Sequence, residues 1–397
     1  RHARRHRTGG ADAMTTVLAT QGLTATLCRD PGQFAVLAAQ WDALRRRCRP
    51  ATPFQSHAWL HSWWLSYGAA GRLRVVLVRR GEDLIAAAPL MLIHRPLPTL
   101  VPLGGGISDY CDVLLDDGCP QAAGALAKAM HQAARGAVID LREVRPGAAV
   151  ERLYAAWRGP RRKLQDSVCL ELPAIPMEEL LEKLAPASAK RTRRKLRKID
   201  TMGIEEHLVP PSQVTAAVRT MLRLHELQWE GRGVTPEHLR PRFRAHLERA
   251  MRELAGSGDA VLTEYRLGAE VLASDITFTS PELVCGYLYG AHPRLRDEKV
   301  DITTMLLRHD TDFASGSGRK VLSMLRGTEP HKLRWQPTPA VNQRVLLARR
   351  ELAPALGLYA AQIAGRAFAA EVVRQRADVT QVWRTRTGER RPEEAPA

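Results

Sequence analysis

The order of predicted elements between residues 260 and 335 constrains the fold of this chain more than any other feature. Strands are predicted at 260–265, 270–279 and 283–289, then a helix at 300–314 and a strand at 320–325. Short apolar or alternating runs bounded by turn residues are typical of strands, and apolar residues three and four apart are typical of a helix. This order predicts an α/β (α+β) domain with a mixed, twisted sheet flanked by helices.

The first half of the chain repeats this order in outline. Its predicted helices are 31–48, 56–67 and 120–135, and its predicted strands are 22–28, 73–79, 84–90, 111–115 and 137–141. Helices at 188–201, 212–229 and 235–254 precede the strands of the second half, and a strand at 341–348 follows them. Because no residue-level repeat is visible, any duplication is one of fold only. The predicted parts are a non-native or disordered leader (1–13), two domains (14–172 and 173–350), and a helix with a tail (351–397).

Composition is ordinary for a globular protein except for its charge. The 397 residues are 45% hydrophobic and 25% charged, with a formal net charge of +17. The longest apolar run, 84–93, contains Pro89 and is far shorter than the ~20 residues that span a bilayer. A strongly positive chain suits an anionic partner, although an arginine-rich composition can also have no function behind it. We expect a cytoplasmic protein, with peripheral attachment to an inner membrane as an option.

Metal and nucleotide motifs are not evident. The six cysteines contain no Cys-x-x-Cys pair, which argues against a zinc ribbon and fits a reducing compartment. Gly104–Gly106 is not followed by Gly-Lys-Ser/Thr and is no phosphate-binding loop. His57 and His61 have the spacing of metal ligands but lack the glutamate of a zincin. We therefore predict no metal site.

Three blocks of the sequence resemble the Fem-like branch of the GNAT superfamily, specifically the CelD/BcsL type of acetyltransferase. The blocks are Thr52-Pro-Phe-Gln-Ser-His-Ala-Trp59 with the strand pair and the Ser108-Asp-Tyr110 loop, then Trp229-Glu-Gly-Arg-Gly233, and Gly286-Tyr-Leu-Tyr-Gly290 through Arg326-Gly-Thr-Glu-Pro-His-Lys332. Together they span roughly residues 22–345. The resemblance implies two tandem GNAT-like domains, with acyl-CoA as co-substrate in the second and the acceptor in the cleft between them.

The resemblance also implies roles for particular residues. The expected catalytic residues are Asp275, Tyr289, Glu329 and Lys332. Expected contacts with the coenzyme are Tyr287, Arg294, Arg296, Lys299, Arg326 and Gly327. Tyr287 and Tyr289 are two residues apart in one predicted strand and are expected to share a face. Expected acceptor-binding residues are Trp59, Trp63, Ser108, Asp109 and Tyr110, because aromatic faces and carboxylates suit a sugar. For each set a structural reading stays open: strand tyrosines and helix tryptophans can be core, and charged loop residues can be solvated.

Three departures from the family pattern concern the contact with the coenzyme diphosphate and the acid–base residues. Asp297-Glu-Lys-Val300 stands where relatives have a small Ser-Pro-Gly-like turn, Ser323 replaces a common aspartate, and His331 replaces a tyrosine before the late lysine. A mid-strand carboxylate such as Asp275 is costly to bury unless it is paired or used. A general base for the acceptor and a salt bridge are both open readings of Asp275.

A basic amphipathic helix is predicted at 188–201. Seven Lys and Arg residues cover one broad face, and Ala189, Thr192, Leu196 and Ile199 form the buried stripe. This face suits an anionic partner such as coenzyme phosphates, a nucleotide-sugar, lipid headgroups or tRNA. The expected function is an acyl-CoA-dependent N- or O-acetyltransferase acting on an amino sugar or cell-envelope precursor. The alternatives are a Fem-type aminoacyl-tRNA-dependent transferase and a non-catalytic regulator that keeps the fold.

Overall fold

The computed structural model describes residues 14–20, 22–94, 97–231 and 235–369. The predicted leader, 1–13, and the part of the predicted tail from 370 onward lie outside these ranges. Along the first half the elements are β1 (Met14–Thr20), β2 (Leu23–Cys28), α1 (Pro31–Ala35), α2 (Ala38–Arg46), α3 (His57–Tyr67), β3 (Leu73–Arg80), β4 (Asp83–His94), β5 (Pro98–Pro102), β6 (Leu114–Leu115), α4 (Ala122–Ala133), β7 (Val138–Val144), α5 (Ala149–Ala156) and β8 (Arg161–Pro173).

The second half begins with helices and continues into the strand order predicted from the sequence. Its elements are α6 (Met177–Glu182), α7 (Pro186–Thr201), β9 (Glu205–Leu208), α8 (Val214–Trp229), α9 (Pro241–Ser257), β10 (Ala260–Leu267), β11 (Glu270–Thr279), β12 (Leu283–Ala291), α10 (Pro293–Asp297), α11 (Ile302–Gly316), β13 (Val321–Arg326), α12 (Pro330–Leu333), β14 (Thr338–Leu347) and α13 (353–369). In the part described, no helix is both long and apolar enough to cross a membrane.

Most predicted elements are confirmed, with local differences at their ends. The predicted helix 31–48 is two helices that break at Val36 and Leu37, and the predicted helix 235–254 starts as a 3-10 turn before α9 begins at Pro241. Proline favours the first turn of a helix because its missing N–H has no partner there in any case. The strand predicted at 111–115 shortens to β6. The elements that were not predicted are β1, β5, α5, β8, α6, β9, α10 and α12.

The strands form one continuous mixed sheet, which confirms the predicted α/β class. Its order is β1-β2-β3-β4-β5-β7-β14-β8-β13-β12-β11-β10-β9, with β6 paired to β4. Among the described strands, β5 pairs with β7 and β12 with β13 in parallel, and the other neighbours are antiparallel. Each half thus has an antiparallel series that ends in one parallel pair, the duplication expected from the element order.

Strand β14 joins the two halves of the sheet. It lies between β7 and β8, although it is the last strand in the described chain. A second junction is aromatic: the Phe54 ring lies 5.4 Å from that of Phe278, and the Trp59 ring lies 5.3 Å from that of Tyr287. Buried side chains of both halves belong to the same hydrophobic cluster. Burial of large aromatics contributes strongly to such a junction.

Candidate functional site

The two parallel strands β12 and β13 separate soon after they begin. Their pairing covers only Leu283–Val321, Val284–Leu322 and Cys285–Ser323. On its other side β12 has a β-bulge, because Thr277 pairs with Gly286 and Ile276 pairs with Leu288, which leaves Tyr287 as the extra residue. A bulge re-aims backbone and side-chain groups and is common beside active sites. The separated strands and the bulge open a gap in the sheet.

A cavity of about 600 Å³ lies in this gap. Its size is within the range of pockets that hold a small molecule or part of a cofactor. Several residues predicted from the sequence line it: Asp109, Asp275, Tyr287, Tyr289, Arg326, Gly327, Glu329 and Lys332. The structure therefore brings together residues from both halves of the chain around one opening.

Lys332 lies at this cavity on the short helix α12. Its Nζ donates to the carbonyl oxygen of Arg326 at 2.6 Å and lies 3.1 Å from Glu329 Oε2. Burial acts to raise the pKa of Glu329, but backbone hydrogen bonding and Lys332 outweigh it and hold that pKa below its usual value. Gly327 has φ of 110°, and a Cβ there would collide with the Glu329 carboxylate. The loop after β13 therefore needs glycine at position 327. This backbone conformation places Glu329 and Lys332 at the cavity.

Arg326 is held by two carboxylates of the first half. Its Nε donates to Asp109 Oδ1 at 2.6 Å, and its Nη1 donates to Glu143 Oε1 at 3.1 Å. Burial alone would lower the pKa of the guanidinium, but Asp109 and Glu143 raise it. The prediction assigned Arg326 to the coenzyme and Asp109 to the acceptor. In the structure these groups bind each other, so they fix the wall of the cavity.

The inner end of the cavity carries two buried carboxyl groups. Asp275 and Asp310 are 3% and 7% exposed, and Thr277 Oγ1 donates to Asp310 Oδ1 at 2.9 Å. Burial, and then Asp310, raises the pKa of Asp275, and burial raises the pKa of Asp310. Two close carboxyls in a site of low dielectric constant do not both ionise easily. The pair of carboxyl groups therefore keeps a proton near neutral pH, and Asp275 is better suited to donate it than to serve as the base first considered.

His309 of helix α11 lies next to this acidic pair. Its Nδ1 lies 2.9 Å from Glu206 Oε2, and its Nε2 lies 3.0 Å from Thr263 Oγ1. Burial acts to lower the pKa of His309, but Glu206 and the two aspartates raise it to about 9. The imidazolium therefore partly compensates the buried negative charge.

The two tyrosines of β12 do not share one face, contrary to the sequence-based expectation. The Tyr287 ring stacks on Phe278 at 4.9 Å, and its hydroxyl donates to the carbonyl oxygen of Ile107 at 3.0 Å. Tyr289 packs instead with the cluster that contains Leu295 and Val300. The bulge at Tyr287 breaks the period of two that the prediction assumed. Burial raises the pKa of Tyr289, so its hydroxyl keeps a proton that it can donate.

Four predicted acceptor-binding residues are core residues, which corrects the prediction. Trp59, Trp63, Ser108 and Tyr110 are between 0% and 5% exposed. Trp59 Nε1 donates to Ser108 Oγ at 2.8 Å, and the hydroxyls of Tyr110 and Ser323 are 2.7 Å apart. A ring with no exposed face cannot stack on a sugar. Tyr110 reaches the cavity only through Ser323, which lines it.

Three predicted coenzyme contacts lie away from the cavity. Arg294, Arg296 and Lys299 are exposed on and after α10, and Arg294 pairs with Glu298 and Glu270. The cavity lining does not include them. Their prediction as phosphate ligands relied on closeness in sequence to the start of α11.

The N-terminus of α11 carries a carboxylate that the sequence reasoning missed. Asp301 Oδ1 accepts from the backbone N–H of Thr304 at 2.9 Å. Arg334 donates to both carboxylate oxygens at 3.0 Å, and Lys195 Nζ donates to Oδ2 at 2.5 Å. Helix N-termini favour anions, and here the anion is part of the chain. An aspartate directly before the apolar run of α11 was the available signal.

Helix α7 is amphipathic and basic, as predicted. Ala189, Thr192 and Ile199 are buried, and Leu196 is half-buried. Four of its cations have partners within the chain: Arg191 donates to Ser188 Oγ, Arg193 binds Glu178, Lys195 binds Asp301, and Lys198 donates to a backbone carbonyl. Lys190, Arg191, Arg194 and Arg197 are exposed. Through Lys195 this face adjoins the start of α11.

Comparison with known proteins supports the fold and a coarse reaction class. Residues 186–333 match the family model of the acetyltransferase (GNAT) domain. No curated protein matches the sequence. The structure of FemX aligns with a TM-score of 0.56 at 12% identity, over 78% of this chain and 95% of that one.

Two further structures have a similar fold. The C-terminal domain of a proposed lysylphosphatidylglycerol synthetase from Agrobacterium fabrum has a TM-score of 0.52 at 11% identity, covering 84% of this chain and 97% of that one. L-PGS from Bacillus licheniformis has a TM-score of 0.50 at 11% identity, covering 83% and 96%. At these identities the likeness concerns the fold alone. A GNAT-like acyltransferase fold is therefore established, and the CelD/BcsL type is not distinguished within it.

Proposed function

We propose that this chain is an acyltransferase that moves an acyl group from a coenzyme A thioester to an amine or hydroxyl. The observation that carries the proposal is the opening between β12 and β13, where a bulged strand, Lys332 and the buried carboxyl group of Asp275 surround one cavity. The family match over 186–333 covers the same elements. The sequence resemblance favours an amino sugar or another cell-envelope saccharide as the acceptor. The transfer would take place in the cytoplasm.

The residues suit direct transfer within a ternary complex. Backbone N–H groups at the bulge would stabilise the oxyanion, a contribution on the order of 10²–10³-fold per donor. The ammonium group of Lys332 would offset negative charge at the reacting carbonyl. Asp275 or Tyr289 would give a proton to the departing thiolate, since burial raises the pKa of both groups. Proton transfer by a positioned group contributes on the order of 10²–10⁴-fold.

Calorimetric titration of the full chain with acetyl-CoA, followed by an acceptor screen that starts with amino sugars, tests this proposal. Saturable binding that persists at high salt, together with release of free thiol in the presence of an acceptor, would support it. Failure to bind acetyl-CoA, or binding lost with salt, would count against a thioester donor.

Lys332→Ala and Asp275→Asn are each expected to lower turnover at least tenfold, because each removes a charge or proton next to the reacting carbonyl. Matched controls are Lys183→Ala and Asp297→Asn, which change exposed residues outside the cavity and should alter turnover less than twofold. Circular dichroism would check that each variant folds. Wild-type rates in both cavity variants would remove these two residues from the proposed mechanism.

A Fem-type transferase that uses aminoacyl-tRNA is the second candidate, and Asp301 favours it. The helix N-terminus where a diphosphate would lie already binds this carboxylate. The exposed cations of α7 lie beside it, which suits a longer polyanion. One structural neighbour is described as a proposed lysylphosphatidylglycerol synthetase, so lysyl transfer is a reaction to include in the screen. Steep loss of tRNA binding with salt, reduced in an Arg191→Ala/Arg194→Ala variant, would support this candidate.

A further inference from the structure

Helix α8 packs against β12 more closely than side chains normally allow. A Cβ on Gly290 would collide with the carbonyl oxygen of Met221 and the backbone nitrogen of His225. Glycine at this position therefore lets the helix lie directly on the strand backbone. The close approach brings the His225 ring to the strand, where its Nδ1 lies 2.7 Å from the carbonyl oxygen of Tyr289.

A second histidine continues this contact toward the cavity. His238 Nδ1 lies 3.2 Å from His225 Nε2. His238 belongs to the 3-10 turn Pro236–Leu239, its ring stacks on Phe243 at 4.8 Å, and it lines the cavity together with Thr235. The stacking and the hydrogen bond hold the imidazole in one orientation.

The hydrogen bonds determine which nitrogen of each ring carries the proton. A carbonyl oxygen only accepts, so His225 Nδ1 must be the N–H that donates to Tyr289. In the neutral ring, His225 Nε2 then has a lone pair and can only accept, so His238 Nδ1 must donate to it. The remaining nitrogen, His238 Nε2, consequently has a lone pair.

Both rings are neutral at physiological pH. Burial lowers the pKa of His225, although its backbone hydrogen bond acts in the opposite direction. Burial, and then the neighbouring His225, lowers the pKa of His238 to about 4. His238 is therefore neutral and oriented at the cavity wall throughout the neutral range, and its lowered pKa makes it a weaker base than an exposed histidine.

We infer that His238 is the base that takes the proton of the acceptor during acyl transfer, with His225 as its positioning residue. This inference rests on the proposed acyltransferase function. As the acceptor nitrogen or oxygen attacks the acyl carbon, its N–H or O–H proton passes to His238 Nε2 and the new N–C or O–C bond forms. The C–S bond of the thioester breaks, and the thiolate takes a proton from Asp275 or Tyr289. No oxidant or additional reactant is needed.

Nuclear magnetic resonance of protein with ¹⁵N-labelled histidine tests the proton positions without any substrate. We expect both rings as Nδ1–H tautomers at pH 7. In His225→Phe, His238 loses its acceptor and should become a mixture of tautomers. A wild-type His238 that is protonated on Nε2, or charged at pH 7, would overturn the inference.

Kinetics test the role itself, with acetyl-CoA as donor and glucosamine as the first acceptor. His238→Ala should lower kcat about 100-fold with little change in the KM for acetyl-CoA, and added imidazole should restore part of the rate. His207→Ala, on the exposed strand β9, is the matched control and should keep wild-type kcat. A structural role for His238 would not predict rescue by imidazole.

The outcomes separate this inference from the proposed function. If the wild type transfers acetyl groups and His238→Ala stays within threefold of it, His238 is not the base and the acyltransferase function stands. If the wild type transfers acetyl groups to no acceptor in the screen, the proposed function fails and the role of His238 fails with it. A 100-fold loss with imidazole rescue supports both.

Discussion

Replacing Arg326 with alanine is expected to lower the free energy of unfolding by about 2–4 kcal/mol, because two nearly buried carboxylates lose their cation. The side chains of Asp109 and Glu143 are 13% and 8% exposed, and Arg326 is 32% exposed. Water reaching the vacated space keeps the expected loss below that of a fully buried pair. Urea denaturation followed by circular dichroism would measure it.

Two variants sharpen the test of Arg326. Arg49→Ala removes a guanidinium from an exposed ion pair with Glu282, and should cost less than about 1 kcal/mol. Adding Asp109→Asn and Glu143→Gln to Arg326→Ala removes the stranded charges and should recover about half of the lost stability. If Arg326→Ala lowered the free energy of unfolding no more than Arg49→Ala, the ion triad of Arg326, Asp109 and Glu143 would not stabilise the junction between the two halves.

Asp301→Ser is expected to raise the affinity for coenzyme A by at least tenfold. Serine can still cap α11 by accepting from the Thr304 N–H, so the helix keeps its first turn. Removing the carboxylate leaves Arg334 and Lys195 facing a helix N-terminus, an arrangement that attracts phosphate. Charge-assisted hydrogen bonds contribute about 1.5–3 kcal/mol each, which is enough for the expected change. Isothermal titration calorimetry would measure both dissociation constants.

The ligand pantetheine distinguishes a phosphate effect from a general one. It lacks the diphosphate, so its affinity should stay the same in Asp301→Ser. Asp200→Ser removes an exposed acidic charge that pairs with Arg308, and it controls for net charge alone. Equal gains in affinity for coenzyme A and pantetheine, or an equal gain in Asp200→Ser, would contradict this assignment. In it, the α11 N-terminus is a phosphate-binding site that the Asp301 carboxylate occupies.

The sequence predicted elements with a strong local period and missed those that depend on distant partners. Strands β10 to β13 and helix α11 carry clear apolar patterns and are confirmed. Strand β8 is half polar, and it begins Arg-Arg-Lys-Leu-Gln-Asp-Ser-Val. Its pairing with β13 and β14 cannot be predicted from its own residues. Tertiary context therefore determined this strand more than intrinsic preference did.

The candidate site shows the same division. The family resemblance pointed to Lys332, and a carboxylate within an apolar strand pointed to Asp275; both line the cavity. The role of Arg326 depends on Asp109, which is 217 residues away in sequence, and that distance explains why the ion triad was not predicted. Trp59 was predicted to stack on a sugar, but it is buried. A helix pattern alone does not show whether a tryptophan is buried or exposed. His225 and His238 had no motif, since a bulge and a close helix contact create their geometry.

The central position of β14 has a consequence for how the chain folds during synthesis. Arg344 on this strand binds Asp140 of β7, a contact with a sequence separation of 204 residues. Until β14 has left the ribosome, β7 and β8 both lack a neighbour in the middle of the sheet. Open strand edges promote intermolecular pairing, and contacts of long range slow folding. The nascent first half is thus a natural client for chaperones, and truncation before residue 338 should yield aggregates instead of a stable fragment.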